Sequence, residues 1–260
     1  MDQVAKFGDS RSLIKRIESG TINMVVTSPP YNIDKNYGHY KDKISLDKWK
    51  SLISSIINEV VRVLKPNGSF FLNVSPVPDL KTKEIIPLDS IAYFIAKNYG
   101  LFLRNSIIWH FNNMQNCKNR LSGRWESILW FVKDVNNYIF NLNDVRIPYL
   151  TKNDKRLDPG GERNPTDVWY FDRVNNMTKN KLGISMAPCV YPLPMVERII
   201  RMSTNIGDVV LDPFLGSGTT LVACRKLNRK GIGFEIDKRY KKIIKHRLEN
   251  EGSQIYGMCY

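Results

Sequence analysis

Cysteine, histidine and long apolar runs are all scarce in this chain. The four cysteines form no CxxC pair and no Cys/His cluster: Cys117, Cys189, Cys224 and Cys259. The three histidines are equally isolated: His39, His110 and His246. This spacing predicts neither a metal site nor a disulfide framework, and isolated thiols are typical of a reducing cytoplasm.

Membrane-spanning and secreted classes are excluded on similar grounds. No apolar stretch approaches the ~20 residues that a spanning helix needs, and no apolar signal segment opens the sequence. We therefore expect a soluble cytoplasmic protein without a membrane partner.

Acidic residues are few relative to basic ones. The chain has 39 Lys and Arg against 25 Asp and Glu, a net charge of +14. Such a balance favours a polyanionic partner, most often a nucleic acid, although it also serves solubility. With 42% hydrophobic residues in a length of 260, global disorder is excluded and one large α/β domain, with or without a small insertion, is expected.

Apolar periodicity predicts alternating strands and helices. Ile22 to Thr27 is a β-rich run, and apolar residues from Leu46 to Leu64 recur at helical spacing until Lys65-Pro66-Asn67-Gly68 ends the helix. Further helices are predicted over 85–98, 193–203, 219–227 and 237–249, and strands over 69–74, 105–111, 127–133, 209–211 and 231–235. The expected fold is a mainly parallel, doubly wound sheet with helices on both faces.

The periodicity fades between residues 134 and 185. Basic residues there are mixed with the aromatic residues Tyr149, Trp169, Tyr170 and Phe171. Either this is a solvated insertion, or it is a recognition segment that contacts phosphates and bases, the alternative that we favour. Together with the basic loop 112–124, it supplies the expected DNA contacts: Lys118, Arg120, Arg124, Lys152, Lys155, Arg156 and Arg163. The segment also holds Arg173, Lys179 and Lys181.

A glycine-rich turn follows the strand at 209–211. Gly216-Ser217-Gly218 leads into a helix, where a nucleotide-like ligand meets helix N–H groups. The turn lacks the lysine of a GxxxxGK loop, and Leu221 stands where a GxGxxG motif needs glycine, which disfavours triphosphate and pyrophosphate ligands. Asp212 beside it would suit a cationic ligand group. Glu235, at the end of the next strand, is placed to accept hydrogen bonds from both ribose hydroxyls.

The stretch Val25 to Ile33, VVTSPPYNI, ends an apolar strand in two prolines. Pro29 and Pro30 fix the backbone and remove two donors, so neighbouring carbonyl groups can face a ligand.

Three motifs together resemble the S-adenosylmethionine-dependent amino methyltransferases of DNA. They are TSPPY (Thr27 to Tyr31), DPFLGSGTT (Asp212 to Thr220) and GFEID (Gly233 to Asp237), and FGDS (Phe7 to Ser10) resembles the adenine-contacting segment. Their order is similar to that of the permuted β group. The resemblance implies a Rossmann-like methyltransferase fold and S-adenosylmethionine as cofactor, held by Asp9, Asp212, Phe214, Gly216, Ser217, Gly218, Thr219 and Glu235. APCVYPLPMVERII (187–200) resembles the segment over the cofactor's methionine part, with Ala187-Pro188 where the family usually has His-Pro.

The proline motif suits the chemistry that the resemblance implies. An exocyclic amine is a poor nucleophile until two acceptors aimed at its N–H groups draw it toward tetrahedral geometry. Ser28 Oγ and the Pro29 carbonyl, locked by Pro30, are expected to supply them. Tyr31 offers a stacking face to a flipped base, or is a core aromatic. The loop 32–43 is expected to close over substrate or to be a plain surface loop.

In the family that the chain resembles, serine in the first variable position of this motif, which is Ser28 here, mostly accompanies cytosine N4 methylation. Aspartate or asparagine there mostly accompanies adenine N6 methylation. We expect methylation of cytosine N4, with methylation of adenine N6 as the alternative. Two further hypotheses are an RNA amino methyltransferase and a non-catalytic nucleic-acid-binding module. Residues 1–133 and 186–260 are expected to be halves of one catalytic domain, with 134–185 as the target-recognition insertion. Double-stranded DNA is the expected partner, in a bacterial restriction-modification system, and a homodimer and a cognate endonuclease stay open.

Overall fold

An eight-stranded sheet forms the centre of the protein in this computed structural model, which describes residues 2–37, 40–79, 81–112, 116–149 and 161–251. The strands are β1 (Gln3–Phe7), β2 (Ile22–Thr27), β3 (Leu64–Val74), β4 (Phe102–His110), β5 (Trp125–Val132), β6 (Val168–Tyr170), β7 (Val209–Asp212) and β8 (Lys230–Glu235). Their spatial order is β1-β8-β7-β2-β3-β5-β4-β6. Only β5 runs antiparallel to its two neighbours, β3 and β4. The predicted α/β fold with a mainly parallel sheet is confirmed.

Helices cover both faces of this sheet. They are α1 (Ser10–Leu13), α2 (Leu46–Val63), α3 (Leu88–Asn98), α4 (Asn176–Lys181), α5 (Leu193–Ser203), α6 (Thr219–Lys226) and α7 (Tyr240–Asn250). Every residue of β2 is buried, as expected for a strand covered on both sides. Val25 belongs to the core under α2 and α3, while Met24 and Val26 belong to the core under α5 and α6, because successive strand side chains point to opposite faces.

Some element boundaries differ from the sequence predictions. Helix α3 begins at Leu88 and not at 85, because Ile85–Ile86 pairs with Val77–Pro78 and Pro87 disfavours helical geometry in the residue before it. The turn 65–68 is accommodated as an irregularity in β3, where the pairing shifts from Ile22↔Leu64 to Met24↔Ser69. Strand β5 begins two residues earlier than predicted, at Trp125. Two further short pairs are Asn36–Tyr37 with Tyr40–Lys41 and Ile147–Pro148 with Glu162–Arg163.

The segment 134–185 contributes to the main sheet. Strand β6 pairs in parallel with β4, and Trp169 is 4% exposed in the core against α5. The expectation that Trp169 interleaves with basic residues on a DNA-facing surface is therefore wrong. Phe171 is half-buried against the same core, whereas Tyr170 is 74% exposed. In β6 only Trp169 is buried, between the exposed residues Val168 and Tyr170, and a three-residue pattern is too short to predict a strand from the sequence.

Candidate active site

A cavity of about 590 Å³ opens at the carboxyl edge of the parallel strands, where ligands of open α/β sheets bind. The loops after β1, β2, β7 and β8 line it, together with Asn73 near the end of β3. The predicted catalytic and cofactor residues that line it are Ser28, Pro29, Pro30, Tyr31, Asp9, Phe214, Gly216, Ser217, Thr219 and Glu235. Asp212 and Gly218 do not.

One end of the cavity has the features of a nucleoside site. Gly216 (φ +54°) and Gly218 (φ +89°) turn the chain into α6. Glu235 accepts the backbone N–H of Gly216 at Oε2 (2.8 Å) and that of Asp237 at Oε1 (2.8 Å), which leaves a lone pair on each oxygen for a ligand. Burial raises the pKa of this carboxyl, and the two N–H donors partly offset that rise. Asp9 caps α1 and pairs with Arg11, whose hydrogen bonds lower the pKa of Asp9.

Arg247 stabilises the glycine turn through hydrogen bonds. It is 1% exposed, and its Nη1 donates to the carbonyl oxygen of Ser217 (3.1 Å), to Ser217 Oγ (3.1 Å) and to Thr219 Oγ1 (3.0 Å). Glu251 forms an ion pair with Arg247, with 2.7 Å between Glu251 Oε1 and Arg247 Nε. An arginine near the end of a basic helix carries no sequence signal for this role, so sequence reasoning missed it.

Asp212 occupies the centre of a buried network instead of facing a ligand. It is 0% exposed and accepts hydrogen bonds from Thr27 Oγ1 (2.7 Å), Thr220 Oγ1 (2.6 Å), Tyr191 OH (2.7 Å) and the Phe214 N–H (3.0 Å). The expectation that this carboxylate meets a cationic ligand group is therefore corrected: its acceptor positions are taken by protein donors. The network ties the end of β2 to the glycine turn.

The proline motif is anchored by one side chain. Trp49 on α2 donates its indole N–H to the Pro30 carbonyl at 2.8 Å. Within the part of the chain that the structure describes, the Pro29 carbonyl accepts no hydrogen bond. It is thus available to a ligand in the cavity, beside Ser28 Oγ.

Tyr31 is connected to residues that sequence reasoning did not single out. Its hydroxyl lies 2.9 Å from Glu126 Oε2 and 3.1 Å from the Asn73 carbonyl oxygen, and Ser28 Oγ donates to it at 3.1 Å. The ring is half-buried beside the core under α2 and still lines the cavity. Glu126 reaches this edge because β5 is antiparallel, so that its beginning lies where β3 ends.

The loop 32–43 is tethered at its base. Asp42 is 2% exposed and accepts the backbone N–H groups of Asn32 (2.8 Å), Ile33 (3.1 Å) and Lys35 (3.0 Å). Burial raises the pKa of Asp42, and these three donors offset part of the rise. Its tip, residues 38–39, lies outside the described residues. Closure over substrate stays a prediction.

The segment 187–191 is held by a lysine that the sequence grouped with DNA-facing residues. Lys179 on α4 donates to the carbonyl oxygens of Ala187 (2.8 Å) and Pro188 (3.0 Å). Burial lowers the pKa of this ammonium. The backbone at Ala187-Pro188 is therefore positioned without a histidine side chain.

Of the predicted DNA-binding residues that the structure describes, which are Lys118, Arg120, Arg124 and Arg163, none lines the cavity. Lys118 and Arg120 are exposed, whereas Arg163 is half-buried with its Nε enclosed. Lys152, Lys155 and Arg156 lie outside the described residues. Among the basic residues of the segment 134–185 that the structure describes, only Arg173 lines the cavity, with its guanidinium 4.9 Å from the ring centre of Phe111.

Over the described ranges, no helix is long and apolar enough to cross a bilayer, and no three His, Cys, Asp or Glu side chains are grouped as metal ligands.

Comparisons with known proteins agree with this geometry. The family model N6_N4_Mtase, described as DNA methylase, matches residues 22–246. The Type II methyltransferase M.BglII of Bacillus subtilis is 36% identical over 253 residues, covering 94% of this chain and 68% of that protein. Among solved structures, the cytosine-N4-specific PvuII DNA methyltransferase superposes with a TM-score of 0.75 at 21% identity, over 95% of this chain and 86% of that one. The M1.HpyAVI complex with S-adenosylmethionine has a TM-score of 0.63 at 25% identity, over 95% and 98%.

Proposed function

This chain belongs to the N6/N4 DNA methylase family, and from that premise we propose that it transfers a methyl group to the exocyclic N4 amine of a cytosine flipped out of double-stranded DNA. The observation that carries the proposal is the pair of acceptors, Ser28 Oγ and the Pro29 carbonyl, at the cavity that Glu235 also lines.

S-adenosylmethionine is the cofactor, and the cavity's groups fit it. The free lone pairs of Glu235 suit the two ribose hydroxyls, and Phe214 and Ile236 supply apolar surface for an adenine ring. The glycine turn carries no lysine for phosphates. When bound, S-adenosylmethionine supplies an electrophilic methyl group on a sulfonium and leaves as a neutral thioether.

The protein's own contribution is to orient the amine. Two acceptors aimed at its two N–H groups hold the nitrogen lone pair toward the methyl group. Such preorganised polar groups act strongly in an enclosed site. Positioning the reacting groups in line supplies up to ~7 to 11 kcal/mol of the barrier. Tyr31, at the same wall, is placed to stack on the flipped base.

A cytosine target is favoured over adenine because the acceptor at position 28 is a neutral hydroxyl. Arg173 adds support, since it lines the cavity and cytosine presents two ring-side acceptors, O2 and N3, to a guanidinium donor. Adenine has only N1 on the corresponding edge.

The deciding experiment is mass spectrometry of nucleosides from DNA incubated with the purified protein and deuterated-methyl S-adenosylmethionine. We expect labelled N4-methylcytosine. Labelled N6-methyladenine would contradict the base assignment while keeping the reaction type. Label in RNA alone would support the RNA alternative, and label in neither, with cofactor binding demonstrated, would support the non-catalytic one.

Replacing Glu235 by alanine is expected to weaken S-adenosylmethionine binding about 10- to 100-fold, the equivalent of one or two hydrogen bonds to a charged group. Titration calorimetry measures the change, with exposed Glu84→Ala as the control. DNA binding, measured separately, should stay unchanged. Equal cofactor affinity in the two variants would remove Glu235 from the site.

Further parts of the proposal rest on the family and its relatives. From the order of its motifs we propose that the chain belongs to the permuted β group. From relatives such as the Type II methyltransferase M.BglII we propose that it acts in a restriction-modification system. Residues 134–185 and the loop 112–124 would read the target sequence. Because β6 lies in the main sheet, this recognition segment and the catalytic domain share a core.

A further inference from the structure

A chain of hydrogen bonds leads from the proline motif to a carboxylate on another strand. Ser28 Oγ donates to Tyr31 OH at 3.1 Å, and Tyr31 OH lies 2.9 Å from Glu126 Oε2. All three residues line the same cavity. Nothing in the orientation of the amine by Ser28 and Pro29 requires this continuation to Glu126.

The number of hydroxyl protons determines which group donates in each of these hydrogen bonds. Tyr31 has one hydroxyl proton and two nearby acceptors, Glu126 Oε2 and the Asn73 carbonyl oxygen at 3.1 Å. The carboxylate is the nearer and the charged acceptor, so it takes the stronger bond. Ser28 therefore donates to Tyr31, and Tyr31 donates to Glu126.

The proposed methylation leaves one proton to remove. As the N–CH₃ bond forms, the S–CH₃ electron pair stays on sulfur and the positive charge passes to the amine. The amine must then lose one of its N–H protons to return to a neutral methylated base. Ser28 Oγ, one of the two acceptors that hold those N–H groups, has no net capacity for a proton unless it passes its own onward.

We propose, on the basis of the methyltransferase function proposed above, that Glu126 is the terminal proton acceptor, reached through Ser28 and Tyr31. The amine gives a proton to Ser28 Oγ, Ser28 gives its hydroxyl proton to Tyr31, and Tyr31 gives its own to Glu126 Oε2. The products are a neutral methylated amine, unchanged Ser28 and Tyr31, and a protonated Glu126 that returns its proton to solvent. Glu126 touches no substrate atom in this scheme.

The surroundings of Glu126 suit this task. Burial raises the pKa of its carboxyl, while hydrogen bonds from Tyr31 and Asn73 and the charge of Arg173 act in the opposite direction. The pKa of Tyr31 is held well above its ordinary range by burial and by Glu126, and Cys189 contributes in the same direction. Tyr31 therefore stays protonated and relays a proton without being the base.

The test is the variant Glu126→Gln, which keeps an oxygen for Tyr31 but cannot accept a proton. We expect the single-turnover methylation rate to fall about 100-fold, within the range for general acid–base catalysis, with unchanged affinity for S-adenosylmethionine. The rate of the unmodified protein should rise with pH as Glu126 ionises, and this acid limb should disappear in the variant. Glu249→Gln, on the exposed end of α7, is the control and should behave like the unmodified protein.

Tyr31→Phe provides the second variant, since it keeps the aromatic face and breaks the relay. If one relay is interrupted at two points, Glu126→Gln combined with Tyr31→Phe should be no slower than either alone. The infrared spectrum of the unmodified protein minus that of Glu126→Gln, recorded against pH, should show the titration of one buried carboxyl, because other buried carboxyls such as Asp212 and Asp42 are common to both proteins.

Rates and pH profiles in Glu126→Gln equal to those of an active unmodified protein would overturn the relay. So would additive losses in the double variant. An unmodified protein that methylates no DNA would instead count against the proposed function, so the two failures are distinguishable.

Discussion

Replacing Ser28 by alanine is expected to lower the single-turnover rate of methyl transfer about 100- to 1000-fold, as removal of one preorganised polar group does in other enclosed sites. Two losses are combined. The amine loses one of the two acceptors that shape its lone pair, and its proton loses the first step toward Glu126. The Pro29 carbonyl remains, because Trp49 anchors the neighbouring Pro30 carbonyl independently of Ser28.

The affinity for S-adenosylmethionine should be unchanged in Ser28→Ala, since Ser28 Oγ bonds to Tyr31 whereas Glu235 bonds to the backbone of Gly216 and Asp237. Rapid-quench kinetics with DNA and calorimetry with the cofactor separate the two quantities. Ser90→Ala, an exposed serine on α3, is the matched control. A rate within twofold of the control's would show that the Ser28 hydroxyl has no part in the reaction.

Replacing Asp212 by alanine should lower the free energy of unfolding by about 3 to 5 kcal/mol, because the donors around a buried carboxylate lose their acceptor. Four donors are affected: the hydroxyls of Thr27, Thr220 and Tyr191 and the N–H of Phe214. Urea unfolding followed by circular dichroism measures the loss. Activity should fall as well, since Thr27 precedes Ser28 and Thr220 follows the glycine turn.

Two comparisons make the Asp212 result specific. Asp212→Asn keeps one oxygen acceptor, and the hydroxyls can rotate to accept from its amide, so its loss should be smaller. Asp47→Ala, at an exposed position in the first turn of α2, should change stability by less than about 0.5 kcal/mol. A loss below about 1 kcal/mol in Asp212→Ala would mean that the network is not a source of stability.

Long apolar periodicities were read correctly from the sequence because local pattern decides them. Strand β2, helix α2 and helix α5 occupy nearly their predicted ranges. Short elements were not predicted correctly. Strand β6 has only three residues, and its place in the sheet depends on pairing with β4, which lies more than fifty residues earlier in the chain. Trp169 was consequently assigned to a surface.

The residues of the site also divide into those whose position the sequence predicts and those whose position it does not. Glu235 and the glycine turn follow strands that meet at one sheet edge, so their neighbourhood could be inferred from the order of elements. Glu126 could not, because it stands at the beginning of an antiparallel strand and reaches that edge only through the register of β5 with β3.

The sequence by itself determined an α/β sheet, a basic protein and a proline motif paired with a nucleoside-type turn, since spacing along the chain encodes these. The tertiary structure alone decided which polar groups face each other. In the folded protein Asp212 accepts hydrogen bonds from three hydroxyls, and Lys179 donates to two carbonyl oxygens. Arg247 donates to the glycine turn, and Glu126 accepts a hydrogen bond from Tyr31. The physical reason is that hydrogen bonds depend on distance and direction between groups far apart in the chain, which one-dimensional spacing does not specify.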